Sequence, residues 1–383
     1  MPSSHASPLR VLMVTPRYLP FTGGVELHVH EVARRLARRD ASVTILTTDP
    51  SGELPSKESV EGVEVRRVRA HPANRDYHFA PGIRAEVSRR EWDVVHVQSY
   101  HTFVAPLTMH AARRAGHPYV VTFHAGGHSS AFRHRLRPLQ FAALRPFLAG
   151  AYRLIALAEF EADRYSKLLR LPRDRFEVIP NGSDLPLVTA PSTRPALIAS
   201  IGRLERYKGH HRVLAALPYV THRRPDVRLW VAGRGPYEQP LRRMAEELGV
   251  ADHVEIRSVA ADDRESMARE LAAVRVAILM SEFETQPIAA LEAHALGCRL
   301  IVADTPGLRQ LADQGLARSV PLNSTPDIVA ATILDELQKP PPTERAPLPT
   351  WDECTDSLLE LYEAAARRGP GSSRRPLPLG ARV

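Results

Sequence analysis

Short apolar runs alternate with longer amphipathic stretches along almost the whole sequence, and this alternation limits the folds open to the chain more than any other feature. LRVLMVTPR, from Leu9, and residues 41–47, 93–97, 119–123, 153–157 and 176–179 read as strands, with 63–68 as a charged strand near an edge. A strand covered by helices on both sides meets no water on either face, so it reads as a continuous apolar run. Between these runs lie helical repeats at 25–39, where Val29, Val32, Ala33 and Leu36 share one side, at 104–114 and at 159–169. Strands separated by helices imply a doubly wound parallel sheet. After a proline-rich stretch, 186–195, the pattern restarts with strands at 196–201, 227–232, 254–258, 274–280 and 300–303, the last clear one, and helices at 237–248 and 264–272. The expectation is a first Rossmann-like domain over 1–185 and a second over 186–349. A helix over 350–368, set off by a linker at 340–349, carries Trp351, Leu358, Leu361 and Tyr362 on its apolar side, and 369–383 reads as a disordered tail.

A chain of 383 residues that is 44% hydrophobic can bury two ordinary cores. Cys298 and Cys354 are its only cysteines, which points to neither a disulfide framework nor a cysteine metal site and fits a reducing compartment. The polar start, MPSSHASPLR, is no secretion signal, and no run nears the ~20 apolar residues that span a bilayer, so a cytoplasmic protein is expected, at most peripheral on the inner face of the membrane. The charge of +8 invites a nucleic-acid reading, but the arginines are not interleaved with stacking aromatics and no recognition motif appears, so no nucleic-acid partner is expected. Residues 94–158 contain no Asp or Glu. The region after His124, rich in arginine, phenylalanine and leucine, reads either as a core-facing helix with a solvated basic face or as a helix lying on anionic lipid.

Chemistry gathers where strands give way to helices, since ligands of parallel α/β sheets bind at the carboxyl ends of strands and helix N-termini receive anions. One such junction is MSEFETQPIAALEAHALG, from Met280, in which Glu284 precedes a helix and Glu292 lies inside it. Glu284 reads equally as a partner of the helix dipole. Glu292 stands between Leu291 and Ala293 in the most apolar helix, where an unpaired carboxylate is costly, so a partner for it is expected. At a second junction, Gly202, Arg203, Leu204 and then Lys208 and Gly209 bring two cations to the loop before a helix, which is chemistry for a diphosphate. Gly233 closes the next strand. In the first domain, Gly23 and Gly24 follow the opening strand and offer conformational freedom and backbone access, though a plain turn explains them as well. His124, with Gly126 and Gly127 behind it, follows the strand at 119–123. No G-x-G-x-x-G is present, which removes the main support for a nicotinamide oxidoreductase.

Together Glu284–x7–Glu292, the Gly202–Gly209 loop, His124, Gly23–Gly24 and the Pro180–Asn181–Gly182 turn resemble the retaining family-4 glycosyltransferases of GT-B architecture. The resemblance implies two Rossmann-like domains with a cleft between them. It implies a hexosyl or N-acetylhexosaminyl group moved from a nucleoside diphosphate sugar to a sugar, lipid-linked or small-molecule acceptor, with no cofactor, and a UDP-sugar is favoured over a GDP-sugar. By likeness, Arg203 and Lys208 neutralise the departing diphosphate, Glu284 holds sugar hydroxyls and His124 contacts the sugar. Glu292 holds the ribose, while Gly23, Gly24, Gly202, Gly233, Thr285, Gln286, Pro287 and Ile288 line the donor. The two cations do the electrostatic work of a metal, and metal independence is expected. Ser183 stands where an aliphatic residue is usual, and Gln286 departs from the common Phe-containing pattern after the first glutamate. The loop at 304–310 matches its family counterpart only loosely. Two other readings use the same scaffold: a non-hydrolysing nucleotide-sugar epimerase, and a non-catalytic nucleotide- or lipid-binding protein. The two-cation loop and the spacing of the glutamates favour transfer over either.

Overall fold

The structure is a computed structural model that describes residues 7–21, 23–72, 79–89, 91–124, 131–186, 188–189, 195–260, 263–343 and 347–368, with the side chains of 131–138 excepted. The chain divides into two compact units, the first built from 1–125, 134–180 and 351–383 and the second from 126–133 and 181–350.

The first unit runs β1 (Arg10–Val14), α1 (Gly24–Arg38), β2 (Ser42–Asp49), β3 (Lys57–Val60), β4 (Val63–Arg69), α2 (Gly82–Val87), β5 (Val94–Gln98), α3 (Val104–Ala115), β6 (Tyr119–Thr122), α4 (Ala131–Leu148), β7 (Arg153–Ala156), α5 (Glu159–Leu169) and β8 (Phe176–Val178). Its sheet has the order β3-β4-β2-β1-β5-β6-β7-β8. Successive side chains of a strand point to opposite faces. Val11 and Met13 accordingly pack with Val29, Val32 and Leu36 of α1, while Leu12 and Val14 join Met109 of α3 and Ala162 of α5 in a separate core on the other face. All pairings are parallel except β3 with β4, an edge strand that the sequence reading lacked. The two are joined by Glu61 and Gly62, both at positive φ (48° and 82°), the left-handed pair that a two-residue hairpin requires.

The second unit runs β9 (Leu197–Ile201), α6 (His210–Arg223), β10 (Arg228–Ala232), α7 (Glu238–Glu247), β11 (Val254–Arg257), α8 (Arg264–Ala273), β12 (Val276–Leu279), α9 (Ile288–Ala295), β13 (Arg299–Ala303), α10 (Arg309–Asp313), β14 (Ala317–Val320) and α11 (Pro326–Gln338). The six strands are all parallel, in the order β11-β10-β9-β12-β13-β14. β14 adds a strand beyond residues 300–303, the last one clear in the sequence. As an edge strand it buries only Val320 fully, so ARSV carries no apolar run.

Beyond the second unit, α12 (Trp351–Arg367) packs in the first, burying Trp351, Leu358, Leu361 and Tyr362 in the core that α1 also lines. Arg39 pairs with Asp352 and Asp356 of α12, both at 2.9 Å. The outgoing and returning passages of the chain lie side by side, the Ser183 N–H donating to the Pro349 carbonyl at 2.8 Å. Both cysteines are buried. In α4, Phe141, Leu144 and Leu148 are buried in the first unit's core, and Arg145 donates to the Leu169 carbonyl at the end of α5 (2.8 Å). Over its described side chains, 139–148, the helix faces the core through these residues, and the basic stretch 133–137 on which the lipid-facing alternative rests lies outside the described side chains. No described helix is long and apolar enough to cross a membrane. Gly126, Gly127, part of each linker and the segment 369–383 lie outside the described residues.

Candidate functional site

In the second unit the loops leaving β9, β10, β12 and β13 are packed backbone against backbone. A Cβ on Gly233 would lie 1.9 Å from the Gly202 carbonyl oxygen, and one on Gly209, at φ +78°, 1.9 Å from that of Met280. Gly307, at φ +84°, stands in the same relation to the Glu284 carbonyl, at 2.0 Å. Only glycine permits these approaches. The loop at 304–310, which the sequence matched loosely, therefore serves as the floor under Glu284. Thr305 Oγ1 donates to the Ser281 carbonyl (2.9 Å), and the Glu284 N–H reaches the Pro306 carbonyl (3.3 Å).

These contacts fix the side chains that carry charge. The Lys208 Nζ donates to both oxygens of Glu284, at 2.7 and 2.9 Å, and the Ser281 hydroxyl donates to one of them at 2.8 Å. Both partners of the ion pair are largely buried, at 17% and 13% exposure, so their attraction is screened less than that of a surface pair. Arg203 differs: its side chain is exposed and pairs with Glu205 at 2.7 Å. Its backbone, however, is held by His210, whose Nε2 lies 3.1 Å from the Arg203 carbonyl and whose Nδ1 lies 2.8 Å from the Ser200 hydroxyl. A carbonyl only accepts, so Nε2 carries the proton and Nδ1 accepts from Ser200. Burial pushes the His210 pKa down to about 4, which keeps the ring neutral in this role.

Glu292 has the partners its apolar surroundings demand. Its Oε1 accepts from the Ser183 hydroxyl at 2.6 Å and from the Arg264 guanidinium at the start of α8, and Arg264 Nε lies 3.3 Å from Asp184. The departure at position 183 thus has a physical account: a serine supplies the hydrogen bond that an aliphatic residue cannot. Gln286 likewise turns inward. Its side-chain oxygen accepts from the Asn181 N–H (2.7 Å) and its NH2 donates to the Asn181 carbonyl (3.0 Å), so the amide is engaged within the protein. Thr285 is buried and Pro287 caps α9. The Ile288 N–H donates to the Gln286 carbonyl at 2.9 Å.

In the first unit, His124 follows β6 and the Gly23–Gly24 turn follows β1, both at the carboxyl-end face of the sheet. The ring of His28, on α1, meets that of His124 edge-on, with centroids 4.7 Å apart. His124 is 8% exposed, its backbone stands at φ 44°, and its Nε2 lies 2.6 Å from Gln98 Oε1. Burial holds its pKa well below the usual histidine range, with nearby His28, His96 and His101 acting in the same direction. The expected conformational role of the two glycines is corrected. Gly23 is extended (φ −168°, ψ −179°), and Gly24 begins α1 with open space around it. What approaches Gly23 is the Glu26 carboxylate, 2.5 Å from where a Cβ would stand and 3.5 Å from Arg17 Nε. The first turn of α1 thus already carries a negative side chain.

Within the second unit, the structure brings together Gly202, Arg203, Lys208, Gly233 and Glu284 in one loop cluster, with Thr285, Gln286, Pro287, Ile288 and Glu292 at the entry and flank of α9. His124, Gly23 and Gly24 belong to the first unit. Sequence reasoning missed Ser281, His210 and Arg264; a serine three residues before a glutamate and a histidine directly after Lys-Gly were the only local hints. Among the described residues, no three His, Cys, Asp or Glu side chains are grouped to hold a metal.

Comparison with known proteins agrees across both units. Residues 22–186 match the family model described as Glycosyltransferase Family 4, and residues 188–346 match that of Glycosyl transferases group 1. A GDP-mannose:cellobiosyl-diphosphopolyprenol alpha-mannosyltransferase of Xanthomonas oryzae pv. oryzae is 30% identical over 317 residues, covering 80% of this chain and 81% of that protein. A D-inositol 3-phosphate glycosyltransferase of Nocardiopsis dassonvillei is 29% identical, covering 94% and 92%. Among solved structures, sucrose-phosphate synthase from Thermosynechococcus elongatus superposes with a TM-score of 0.71 at 18% identity, over 93% of this chain and 98% of that one. Anabaena HepE in complex with UDP and glucose gives 0.68 at 16%, over 94% and 96%.

Proposed function

The chain belongs to glycosyltransferase family 4 and has the GT-B fold, and from that premise we propose that it moves a hexosyl or N-acetylhexosaminyl group from a nucleoside diphosphate sugar to an acceptor hydroxyl, with retention at the anomeric carbon and without a metal ion. The observation that carries the reading is the Lys208 ammonium, clamped at the carboxyl ends of β9 and β12 by Glu284, which Ser281 holds in turn. Two of its three N–H donors are spent on Glu284, and the third remains for an anion. The charge on the diphosphate grows as the glycosidic bond breaks, so a donor held at the leaving oxygens is worth more in the transition state than before it.

In the proposed reaction the bond from the anomeric carbon to the diphosphate oxygen breaks ahead of the bond to the acceptor oxygen. Both changes occur on one face of the sugar, and the acceptor's proton passes to the departing phosphate oxygen. Lys208 and Arg203 neutralise that leaving group. Glu284 orients Lys208 and meets the sugar hydroxyls, and the second oxygen of Glu292 takes the ribose. His124 takes a further sugar hydroxyl. A UDP-sugar is the first donor to test. A GDP-sugar is the second, because the Xanthomonas relative is named for GDP-mannose. The acceptor is a hydroxyl of a sugar, a cyclitol or a lipid-linked sugar.

The test is a thermal-shift panel of UDP, GDP, ADP and their sugars without metal, followed by NMR of the product made in EDTA. A nucleotide at a hundred times its Kd stabilises by about 2.7 kcal/mol, a shift of a few degrees. The expected product keeps the donor's anomeric configuration. Loss of transfer in EDTA, or an inverted product, would overturn the corresponding part of the proposal.

A further inference from the structure

A line of hydrogen-bonded side chains crosses the core of the first unit from α12 to His124. The Tyr362 hydroxyl lies 2.5 Å from His96 Nδ1, and His96 Nε2 lies 2.7 Å from Thr122 Oγ1. Gln98 Nε2 is 3.1 Å from the same His96 Nδ1, and Gln98 Oε1 is 2.6 Å from His124 Nε2. Tyr362 and His96 are fully buried and Gln98 is 1% exposed.

The proton positions follow from one end of this line. A buried phenol that left its proton without an acceptor would forfeit the cost of desolvating it, and among the described residues the Tyr362 hydroxyl has His96 Nδ1 as its sole partner. Tyr362 therefore donates, and His96 Nδ1 carries no proton. Burial keeps the His96 ring neutral, so its proton sits on Nε2 and is donated to Thr122. A lone pair on Nδ1 must face the NH2 of Gln98 and not its oxygen, which fixes the amide with Oε1 toward His124. An amide oxygen only accepts, so His124 holds its proton on Nε2. Its Nδ1 is left as an acceptor, and no described residue donates to it.

We infer that Tyr362 and Gln98 are positioning residues that hold His124 in the Nε2–H tautomer, so that its Nδ1 receives a hydrogen bond from a hydroxyl of the sugar donor. The identity of the ligand rests on the function proposed above; the tautomer rests on the hydrogen bonds alone. The groups facing His124 are His28 of α1, at 4.7 Å between ring centroids, and His96 and His101 of β5 and its following loop. None is a carboxylate that could stabilise an imidazolium, and a charged ring would present a donor at Nδ1 where the ligand hydroxyl needs an acceptor.

The experiment is long-range 1H–15N correlation NMR on the full chain labelled at histidine, without ligand, with the His124 resonances assigned from His124→Gln. A single Nε2–H tautomer is expected at His124. In Tyr362→Phe, which keeps the ring but not the proton donor, His96 and His124 are expected to become tautomer mixtures. The KM for the donor sugar is then expected to rise about 10-fold with kcat changed much less, the loss of one hydrogen bond. Gln98→Leu gives a second reading of the same relay if Tyr362→Phe does not fold, with mixing expected at His124 alone, since Tyr362 still donates to His96. An Nδ1–H tautomer in the parent chain, or an unchanged single tautomer in both Tyr362→Phe and Gln98→Leu, would overturn the inference. Since the tautomer is read in the free protein, absence of transfer with every donor would count against the proposed function and leave the tautomer result intact.

Discussion

Lys208 and Glu284 lie seventy-six positions apart and meet at 2.7 Å, a pairing supplied by the fold and by no local spacing. If the ammonium serves the leaving group, Lys208→Ala should lower kcat/KM by about 100- to 1000-fold, the loss seen when one donor to a developing anion is removed. Circular dichroism should show the variant folded, because Glu284 keeps the Ser281 hydrogen bond. Wild-type turnover in Lys208→Ala would remove this loop from the mechanism. Legibility at this scale tracked sequence distance. That Glu292 needs a partner followed from its apolar neighbours, but Arg264 belongs to a different helix and nothing in the sequence named it. Gln286 was readable as a departure but not as a clamp on the Asn181 backbone, since that use appears only once the two loops are adjacent.

Elements buried on both faces were the easiest to read, because a strand such as β1, with Val11 to Val14 fully buried, leaves no polar position to confuse the pattern. Edge strands are only half covered, and β3 and β14 went unread for that reason. Glycine turns were located correctly but not weighed correctly, since a sequence cannot distinguish a glycine that needs its φ from one that does not. Two substitutions separate the cases. Gly307→Ala puts a methyl 2.0 Å from the Glu284 carbonyl oxygen at φ +84° and should destabilise the chain by about 2 kcal/mol or more in urea unfolding. Gly24→Ala opens into free space at the start of α1 and should change stability by less than about 0.5 kcal/mol. Equal effects would mean that close approach is not what selects glycine at these turns.

For the whole molecule, buried histidines set the first response to acid. His96 and His124 are held well below the usual value of 6.5, and His210 and His211 are held at about 4, each mainly by burial. The unfolded chain binds protons at these sites from about pH 6.5 downward while the folded chain does not, so stability is complete above that pH and falls as the pH drops. The slope is about 1.4 kcal/mol per pH unit for each such histidine. Glu64, held down at about 2 chiefly by its hydrogen bond to Arg66, is lost only between pH 4.5 and 2. Calorimetry should therefore show Tm falling already between pH 6.5 and 5; a flat Tm down to pH 5 would contradict this. The first unit also depends on α12, so a chain ending at Thr350 should expose the apolar side of α1 and bind a hydrophobic dye, while the second unit retains its nucleotide-induced thermal shift.

That dependence has a consequence during synthesis. Strands β1 to β8 emerge from the ribosome first, but the core they share with α12 stays open until the whole second unit has been translated, so the earlier unit is completed later. Because Tyr362 arrives with that helix, a nascent or prematurely terminated chain can assemble its cation loop before it can set the proton on His124. On the function proposed above, partly made copies would hold a nucleotide sugar without the finished means to transfer it.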